Sequence, residues 1–84
     1  MPTAEIEVQV RLFASARECA GTAGLTQTLP AGATVGDLVA RLYEAHPGLC
    51  DLRLRFAVNA AYCDLDAVLR DGDELACIPP VGGG

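Results

Sequence analysis

Residues 5–13 read EIEVQVRLF, and polar and apolar side chains alternate along this stretch. Successive side chains of a β-strand point to opposite faces of a sheet, so one face of such a strand is apolar throughout. Here that face consists of Ile6, Val8, Val10 and Leu12. The pattern predicts a half-buried strand, and therefore a domain built on a sheet with one covered face.

The segment after this strand contains a helix signal and a second alternating stretch. Ser15 is followed three positions later by Glu18, which is capping-box spacing, and Gly21 is typical of a helix C-terminus. Residues 25–29 alternate again before Pro30. We predict a short helical turn, then a second strand that forms a hairpin with the first.

One substantial helix is predicted to begin after Thr34. Thr34 and Asp37 have capping-box spacing, and Pro47-Gly48 is a stop signal. The apolar residues between these signals recur at helical spacing, so one stripe of the helix needs a sheet to cover it. They are Val35, Leu38, Val39 and Leu42.

The second half of the chain predicts further strands. Residues 52–59 alternate and indicate a third strand, and Asn59-Ala60-Ala61 is a tight turn into a brief strand through Cys63. The last strand, at residues 74–78, ends where Pro79-Pro80 prevents further ladder pairing.

The order strand, strand, helix, strand, short strand, strand is that of the β-grasp, or ubiquitin-like, architecture. We predict an α+β domain over residues 1–78, with a mixed sheet of four to five strands and one main helix packed on one face. Residues 79–84 follow it as an extended tail.

The tail is the part of the sequence that suggests chemistry. Prolines hold the backbone extended, and glycines without Cβ atoms can thread a narrow channel into another protein's active site. A carboxylate is a poor electrophile, so it must be activated before it can pass a group on. Reaction with ATP to an acyl-adenylate is the usual route, and sulfur can then displace AMP. A frayed glycine-rich end is the alternative. The tail residues are Pro79, Pro80, Val81, Gly82, Gly83 and Gly84.

Net charge limits the classes of partner that the chain can bind, and hydropathy bears on whether it crosses a membrane. A net charge of −5 argues against nucleic acid and anionic lipid, because phosphate binding needs clustered positive charge. No apolar run is long enough to cross a membrane, and the N-terminus lacks a secretory pattern. We expect a cytoplasmic protein whose partner has a basic docking surface.

The residues that usually carry catalysis or bind metals are sparse. The four cysteines have no metal-binding spacing, so we expect free thiols and neither a metal site nor an iron–sulfur cluster. His46, the only histidine, is expected to be a solvated group at a helix end. All six basic residues are arginines, so the chain offers no side-chain amine for Schiff-base or isopeptide chemistry on itself.

Three segments, in the right order, resemble the MoaD and ThiS family of sulfur carriers over essentially the whole chain. Residues 71–76 (DGDELA) and 79–84 (PPVGGG) are similar to the ending of molybdopterin synthase small subunits in that family. Residues 11–14 (RLFA) with 17–18 (RE), and 57–59 (AVN), resemble two further family segments.

The resemblance implies a carrier without catalytic side chains of its own. Its C-terminal glycine is adenylated by an E1-like enzyme with ATP and Mg²⁺ and receives sulfur from a desulfurase or rhodanese system. The large subunit of molybdopterin synthase would then use the sulfur to convert cyclic pyranopterin monophosphate into molybdopterin. Gly83 and Gly84 match the functional motif, and Gly84 would bear the thiocarboxylate.

A docking surface is expected at the base of the tail. The first and last strands of a β-grasp are parallel neighbours, which places Phe13 near Ile78 and Val81. These residues, with Arg11, are candidate partner contacts. Phe13 capping a sheet edge and arginines that are simply solvated are the alternatives.

Two other functions stay open. A sister carrier for thiazole or amino-acid biosynthesis would share the chemistry up to the thiocarboxylate. A ubiquitin-like interaction module that is never activated would share only the fold.

Overall fold

A computed structural model describes residues 4–80 of the chain. The strands form one five-stranded sheet in the order β2-β1-β5-β3-β4, in which β1 and β5 are parallel and the other neighbours are antiparallel. The predicted β-grasp, with a mixed sheet and one main helix, is confirmed. The elements are β1 (Glu5–Leu12), α1 (Ala14–Ala20), β2 (Gly24–Pro30), α2 (Val35–Ala45), a 3-10 helix (Pro47–Leu52), β3 (Arg55–Val58), β4 (Ala61–Tyr62) and β5 (Glu74–Ile78).

The core lies between α2 and one face of the sheet. The predicted capping box at the start of α2 is confirmed, because Asp37 N–H donates to Thr34 Oγ1 over 3.2 Å and Thr34 N–H donates to Asp37 Oδ2 over 2.9 Å. The predicted apolar stripe of α2 is buried, as is the predicted apolar face of β1. Strand β5 contributes Leu75 and Cys77, each fully buried, to the same core.

The capping box predicted at Ser15 and Glu18 is wrong. Helix α1 begins at Ala14, so Ser15 already lies in its first turn, and Phe13 is the N-cap without a side-chain cap bond. The carbonyl of Phe13 accepts from Ala16 N–H at 3.0 Å and takes the place of a side-chain cap. The predicted helix end is confirmed, since Gly21 adopts the left-handed conformation at φ 77°.

The third strand is shorter than the sequence pattern predicts. Residues Pro47–Leu52 form a 3-10 helix, and Arg53 reverses the chain at φ 52° before β3 begins. Proline suits the first position of a helical turn, and this turn buries Leu49 completely. Leu52 and Leu54 still pack against the core, which explains the strand-like alternation.

The loop between β4 and β5 holds the start of α2. The N–H groups of Val35 and Gly36 donate to the carbonyls of Ala67 (2.9 Å) and Leu65 (2.7 Å). The first N–H groups of a helix have no partner within the helix. The two loop carbonyls provide acceptors for two of these groups. A Cβ atom at Gly36 would lie 3.2 Å from the carbonyl of Leu65, so glycine permits this close approach.

Strand β2 forms one edge of the sheet, and several of its outward backbone groups are occupied. The hydroxyl of Thr22 donates to the Gly24 carbonyl at 2.9 Å and accepts from the Gly24 N–H at 3.4 Å. The Arg41 guanidinium donates to the Thr28 carbonyl at 3.2 Å. Pro30 has no N–H to offer. These features limit pairing of this edge with another strand.

Candidate functional site

The chain reaches its C-terminal segment from the middle of the sheet. Strand β5 lies between β1 and β3, with Cys77 opposite Leu12 on one side and Ile78 opposite Arg55 on the other. Hydrogen bonding on both sides fixes the position and direction in which β5 ends. We call the point where the chain leaves β5, at Ile78 and Pro79, the tail root.

The tail root is anchored in the domain. Phe13 N–H donates to the carbonyl of Cys77 at 3.3 Å, which continues the pairing of β1 and β5 to their ends. Pro79 is buried and Pro80 is exposed, so the described chain emerges from the surface between these two residues. The remaining predicted site residues lie outside the described residues. They are Val81, Gly82, Gly83 and Gly84.

The opposite end of β5 is held by a side-chain network. The Asn59 amide donates to Asp73 Oδ1 at 2.9 Å, and Asn59 Oδ1 accepts from the Glu74 N–H at 3.0 Å. The second carboxylate oxygen of Asp73 accepts from the Arg70 N–H at 2.8 Å. This network locks the turn before β5 to the hairpin after β3.

The same turn is also tied to β1. Asp71 Oδ1 accepts from the Glu7 N–H at 2.8 Å, and the Gly72 N–H donates to the Glu7 carbonyl at 2.8 Å. Gly72 adopts φ 85°, a conformation that favours glycine. Residues 71–74 therefore set the register of the strand that leads to the tail.

The sheet face away from α2 carries an apolar row at the tail root. Residues paired across neighbouring strands point to the same face, so Ile78 and its partner Arg55 share the open face. Phe13 follows Leu12, the partner of Cys77, and therefore lies beside Ile78 on this face. Its side chain is 44% exposed. The structure thus brings Phe13 and Ile78 together, as the sequence predicts.

A second row on the open face adds an aromatic ring. Arg11 pairs with Ala76, Ala76 with Ala57, and Ala57 with Tyr62 of β4. Tyr62 is 62% exposed. We call Phe13, Ile78 and Tyr62 the root patch. Phe13 and Tyr62 are exposed and Ile78 is half-buried. Aromatic and aliphatic side chains on one open face are typical of a protein interface.

Arginines border the root patch. The Arg55 guanidinium carbon lies 4.2 Å from the centre of the Tyr62 ring, a cation–π contact. Arg11 Nη1 is 3.5 Å from Glu74 Oε2, and the two side chains are 55% and 48% exposed. An exposed pair of this kind adds little stability. Both guanidinium groups thus remain accessible to a partner at the surface.

Sequence reasoning missed Tyr62. The available sequence signal was Asn59 at the hairpin turn. In the structure, Asn59 and Ala60 form a two-residue turn with φ values of 50° and 71°, and Val58 lies directly opposite Ala61. Asn tolerates this conformation and is favoured in two-residue hairpin turns. The register that follows places Tyr62 opposite Ala57, on the face of Phe13.

The two cysteines that pack in or against the core, Cys77 and Cys63, do not have the character of reactive thiols. All four cysteines are free, with Cys19 and Cys50 exposed. Burial raises the pKa of the Cys77 thiol to about 12. Burial, with the neighbouring Asp64 carboxylate, raises the pKa of Cys63. Reactive cysteines instead have lowered pKa values.

Metal-binding and membrane features can be stated for the described part of the chain. Among residues 4–80, no three His, Cys, Asp or Glu side chains come together to hold a metal ion. No helix in the same range is long and apolar enough to span a membrane.

The fold and the root patch define a ubiquitin-like protein with a C-terminal segment presented from a central strand. The model of the ThiS family matches residues 10–84. A molybdopterin synthase sulfur carrier subunit from Arabidopsis thaliana is 38% identical over 84 residues, covering 98% of this chain and 88% of that protein. The chain therefore belongs to the ThiS family.

Solved structures with a similar fold include two with about 30% sequence identity to this chain. SAMP1 from Haloferax volcanii has a TM-score of 0.83 at 32% identity, covering 93% of this chain and 99% of that one. A chain in the complex of subunits 1 and 2 of molybdopterin-converting factor from Helicobacter pylori has a TM-score of 0.66 at 30% identity. That match covers 94% of this chain and 100% of the other.

Proposed function

We propose that this chain is the sulfur carrier subunit of a molybdopterin synthase, with the sulfur carried as a thiocarboxylate on Gly84. Support comes from the similarity, over nearly the whole chain, to proteins that bear this name. The observation that carries the proposal is the tail root, where a central strand ends in a buried and then an exposed proline beside an apolar patch.

In this proposal the domain is a rigid support that holds the base of the tail in one position. Bonds to β1 and β3 hold β5, and the Asn59 network holds its start, so the direction of exit is fixed. Four residues follow Pro80, and fully extended they span at most about 14 Å. That reach suits a carboxylate delivered into a channel of a partner docked on the root patch.

Activation and sulfur loading belong to other proteins. An E1-like enzyme, with ATP and Mg²⁺, converts the Gly84 carboxylate into an acyl-adenylate. A desulfurase or rhodanese system supplies the sulfur that displaces AMP. This chain contributes the tail and the surface that presents it, and no catalytic side chain.

The partner at the sulfur-transfer step is proposed to be the large subunit of molybdopterin synthase. The solved complex of subunits 1 and 2 of the Helicobacter pylori factor supports a pairing of this kind. Phe13, Ile78 and Tyr62 would be covered by that subunit, and Arg11 and Arg55 would meet carboxylates at the rim. The catalytic side chains that convert cyclic pyranopterin monophosphate would belong to the large subunit.

The test is mass spectrometry of the intact chain after incubation with the E1-like enzyme, ATP, Mg²⁺ and a sulfur source. We expect a mass gain equal to the exchange of one oxygen for one sulfur. A variant without Gly84 is the matched control and should stay unmodified. An unmodified full chain that still binds its partner tightly would favour the interaction module.

A second assay separates molybdopterin synthesis from its sister pathways. The thiocarboxylated chain is mixed with the large subunit and cyclic pyranopterin monophosphate, and molybdopterin is measured. If the loaded chain supplies no sulfur here but does supply it for thiazole formation, the sister-carrier alternative replaces the proposal.

A further inference from the structure

All six basic residues of the chain are arginines, and the sequence contains no lysine. A guanidinium stays protonated in proteins and is not a nucleophile, whereas a lysine amine, with a pKa near 10.4, has a reactive neutral fraction. This difference matters for a chain whose own C-terminus becomes an acylating agent. The inference below therefore rests on the proposed activation of Gly84.

Several arginines lie within reach of that C-terminus. Arg55 is paired with Ile78 at the tail root, and Arg11 is paired with Ala76 two residues earlier. Arg53 lies two residues before Arg55 and is also exposed. The four residues beyond Pro80 span at most about 14 Å, which is enough to fold back onto these positions.

A tethered amine at these positions would compete strongly with any external acceptor. Short flexible linkers give effective concentrations on the order of millimolar. At about ten micromolar protein, that is roughly a hundredfold above the same amine on another molecule. An activated Gly84 would therefore meet its own side chains first.

We infer that the arginine-only surface around the tail root protects the activated C-terminus from capture by side-chain amines of its own chain. The reaction it prevents is aminolysis. An amine nitrogen attacks the Gly84 carbonyl carbon, the bond to the leaving group breaks, AMP departs, and the nitrogen loses a proton to solvent. The product is an amide, which cannot accept sulfur or be reactivated.

The chain's thiols do not cancel this protection. A cysteine that attacks the same carbonyl gives a thioester, and a thioester remains an activated acyl group. Sulfur or another thiol can still displace it. Of the two products, only the amide is no longer an activated acyl group.

Contacts in the fold do not by themselves require arginine at every such position. Arg55 stacks on Tyr62, and Arg11 pairs with Glu74. Arg53, by contrast, makes no side-chain hydrogen bond or ion pair with another residue of 4–80. Lysine would carry the charge equally well at this position, and it differs there mainly in its nucleophilic amine.

The test uses the full chain with an acetylated N-terminus, which removes the α-amine, and with a Gly84 thioester prepared by cleavage of an intein fusion. It needs no activating enzyme. The wild type is compared with Arg55→Lys, Arg55→Gln and Arg70→Lys at mildly alkaline pH. Arg70 precedes β5, and the five residues of that strand separate it from the tail root by about 17 Å. Products are measured by intact mass before and after hydroxylamine, which cleaves thioesters and leaves amides intact.

We expect Arg55→Lys to form a hydroxylamine-resistant product lighter than the free acid by one water molecule. It should form at least about tenfold faster than in Arg70→Lys, because of the difference in effective concentration. The wild type and Arg55→Gln should give only hydrolysis and hydroxylamine-sensitive species. Resistant product in the wild type, or its absence in Arg55→Lys, overturns the inference. Either result leaves the proposed function standing, because that function is tested by enzymatic sulfur loading.

Discussion

The side-chain amide of Asn59 lies 2.9 Å from Asp73 Oδ1, and its carbonyl oxygen accepts from the Glu74 N–H at 3.0 Å. One side chain thus joins the β3–β4 hairpin to the turn before β5. Because β5 leads directly to the tail root, the position of the tail depends on a contact at the far end of the same strand.

Replacing Asn59 should destabilise the domain. Asn59→Ala removes both hydrogen bonds and places alanine at φ 50°, so we expect a loss of about 1–2 kcal/mol in the free energy of unfolding. Urea denaturation measures it. Asn59→Gly keeps the backbone conformation without the bonds and should lose less. Equal stability of Asn59→Ala and wild type would contradict the role of this contact.

The two sites where the sequence suggests a capping box should contribute differently to the free energy of unfolding. Thr34→Ala removes a cap that is present and should cost about 1 kcal/mol. Ser15→Ala alters a position inside the first turn of α1, which makes no cap bond, and should change stability by less than about 0.5 kcal/mol. Thermal or urea unfolding of the pair is the measurement, and a larger effect at Ser15 would refute the assignment of Phe13 as N-cap.

The root patch should matter for binding more than for folding. Phe13→Ala and Tyr62→Ala should each weaken binding to the synthase large subunit by about tenfold or more, since buried aromatic anchors dominate interfaces. Isothermal titration calorimetry measures the affinity. Val68→Ala is the matched control, because Val68 is as exposed as Tyr62 but bridges to Thr34 at the start of α2. Unchanged affinity in both patch variants would reject this docking surface.

Stability should fall at alkaline pH. Burial raises the pKa of Cys77 to about 12 from its usual 9.0, so the folded state retains a proton that the unfolded chain releases. The contribution is complete below pH 9 and is lost as pH rises toward 12, with a slope of at most about 1.4 kcal/mol per pH unit. The pKa of Tyr43, also raised by burial, adds loss in the same direction above pH 10.

The control for this prediction compares slopes rather than absolute stabilities. Cys77→Ala leaves a small cavity and lowers stability at every pH, but its free energy of unfolding should depend less on pH above 9. Val68→Ala, at an exposed position without a titratable group, should keep the wild-type slope. Identical slopes in all three proteins would show that Cys77 does not titrate differently on folding.

Removing the protection of the β2 edge should promote self-association. Thr22→Val with Arg41→Gln frees the backbone groups of Gly24 and Thr28 for pairing with a second chain. Light scattering coupled to size exclusion should show oligomers at high concentration in the double variant and not in wild type. A double variant that stays monomeric would mean that this edge needs no such protection.

Elements with a long, regular pattern could be predicted from the sequence. The alternation of β1, the stripe and cap of α2, and the bounds of β5 all follow from local signals. The β-grasp order of elements was therefore accessible before the structure, as was the nearness of Phe13 and Ile78. The elements depend on periodicity, which a single sequence displays directly, whereas the nearness of Phe13 and Ile78 was inferred from the parallel first and last strands of a β-grasp.

Features that depend on contacts distant in sequence could not be predicted in this way. Ser15 has the spacing of a cap, but Phe13, directly after β1, is fixed by its bond to Cys77, and α1 begins at Ala14, before Ser15. Leu52 alternates like a strand residue, but burial of Leu49 favours a 3-10 turn. The position of Tyr62 relative to the tail root depends on the pairing of β3 with β5, which joins residues distant in sequence.

The central position of β5 has a mechanical consequence. Under the proposed function, withdrawing the tail from a partner would pull β5 along its own length, between one parallel and one antiparallel neighbour. Such a load acts on the ladders to β1 and β3 in shear, so their hydrogen bonds must fail together rather than one after another. If the chain works as proposed, its domain can thus bear tension on the C-terminal tail without unfolding from that end.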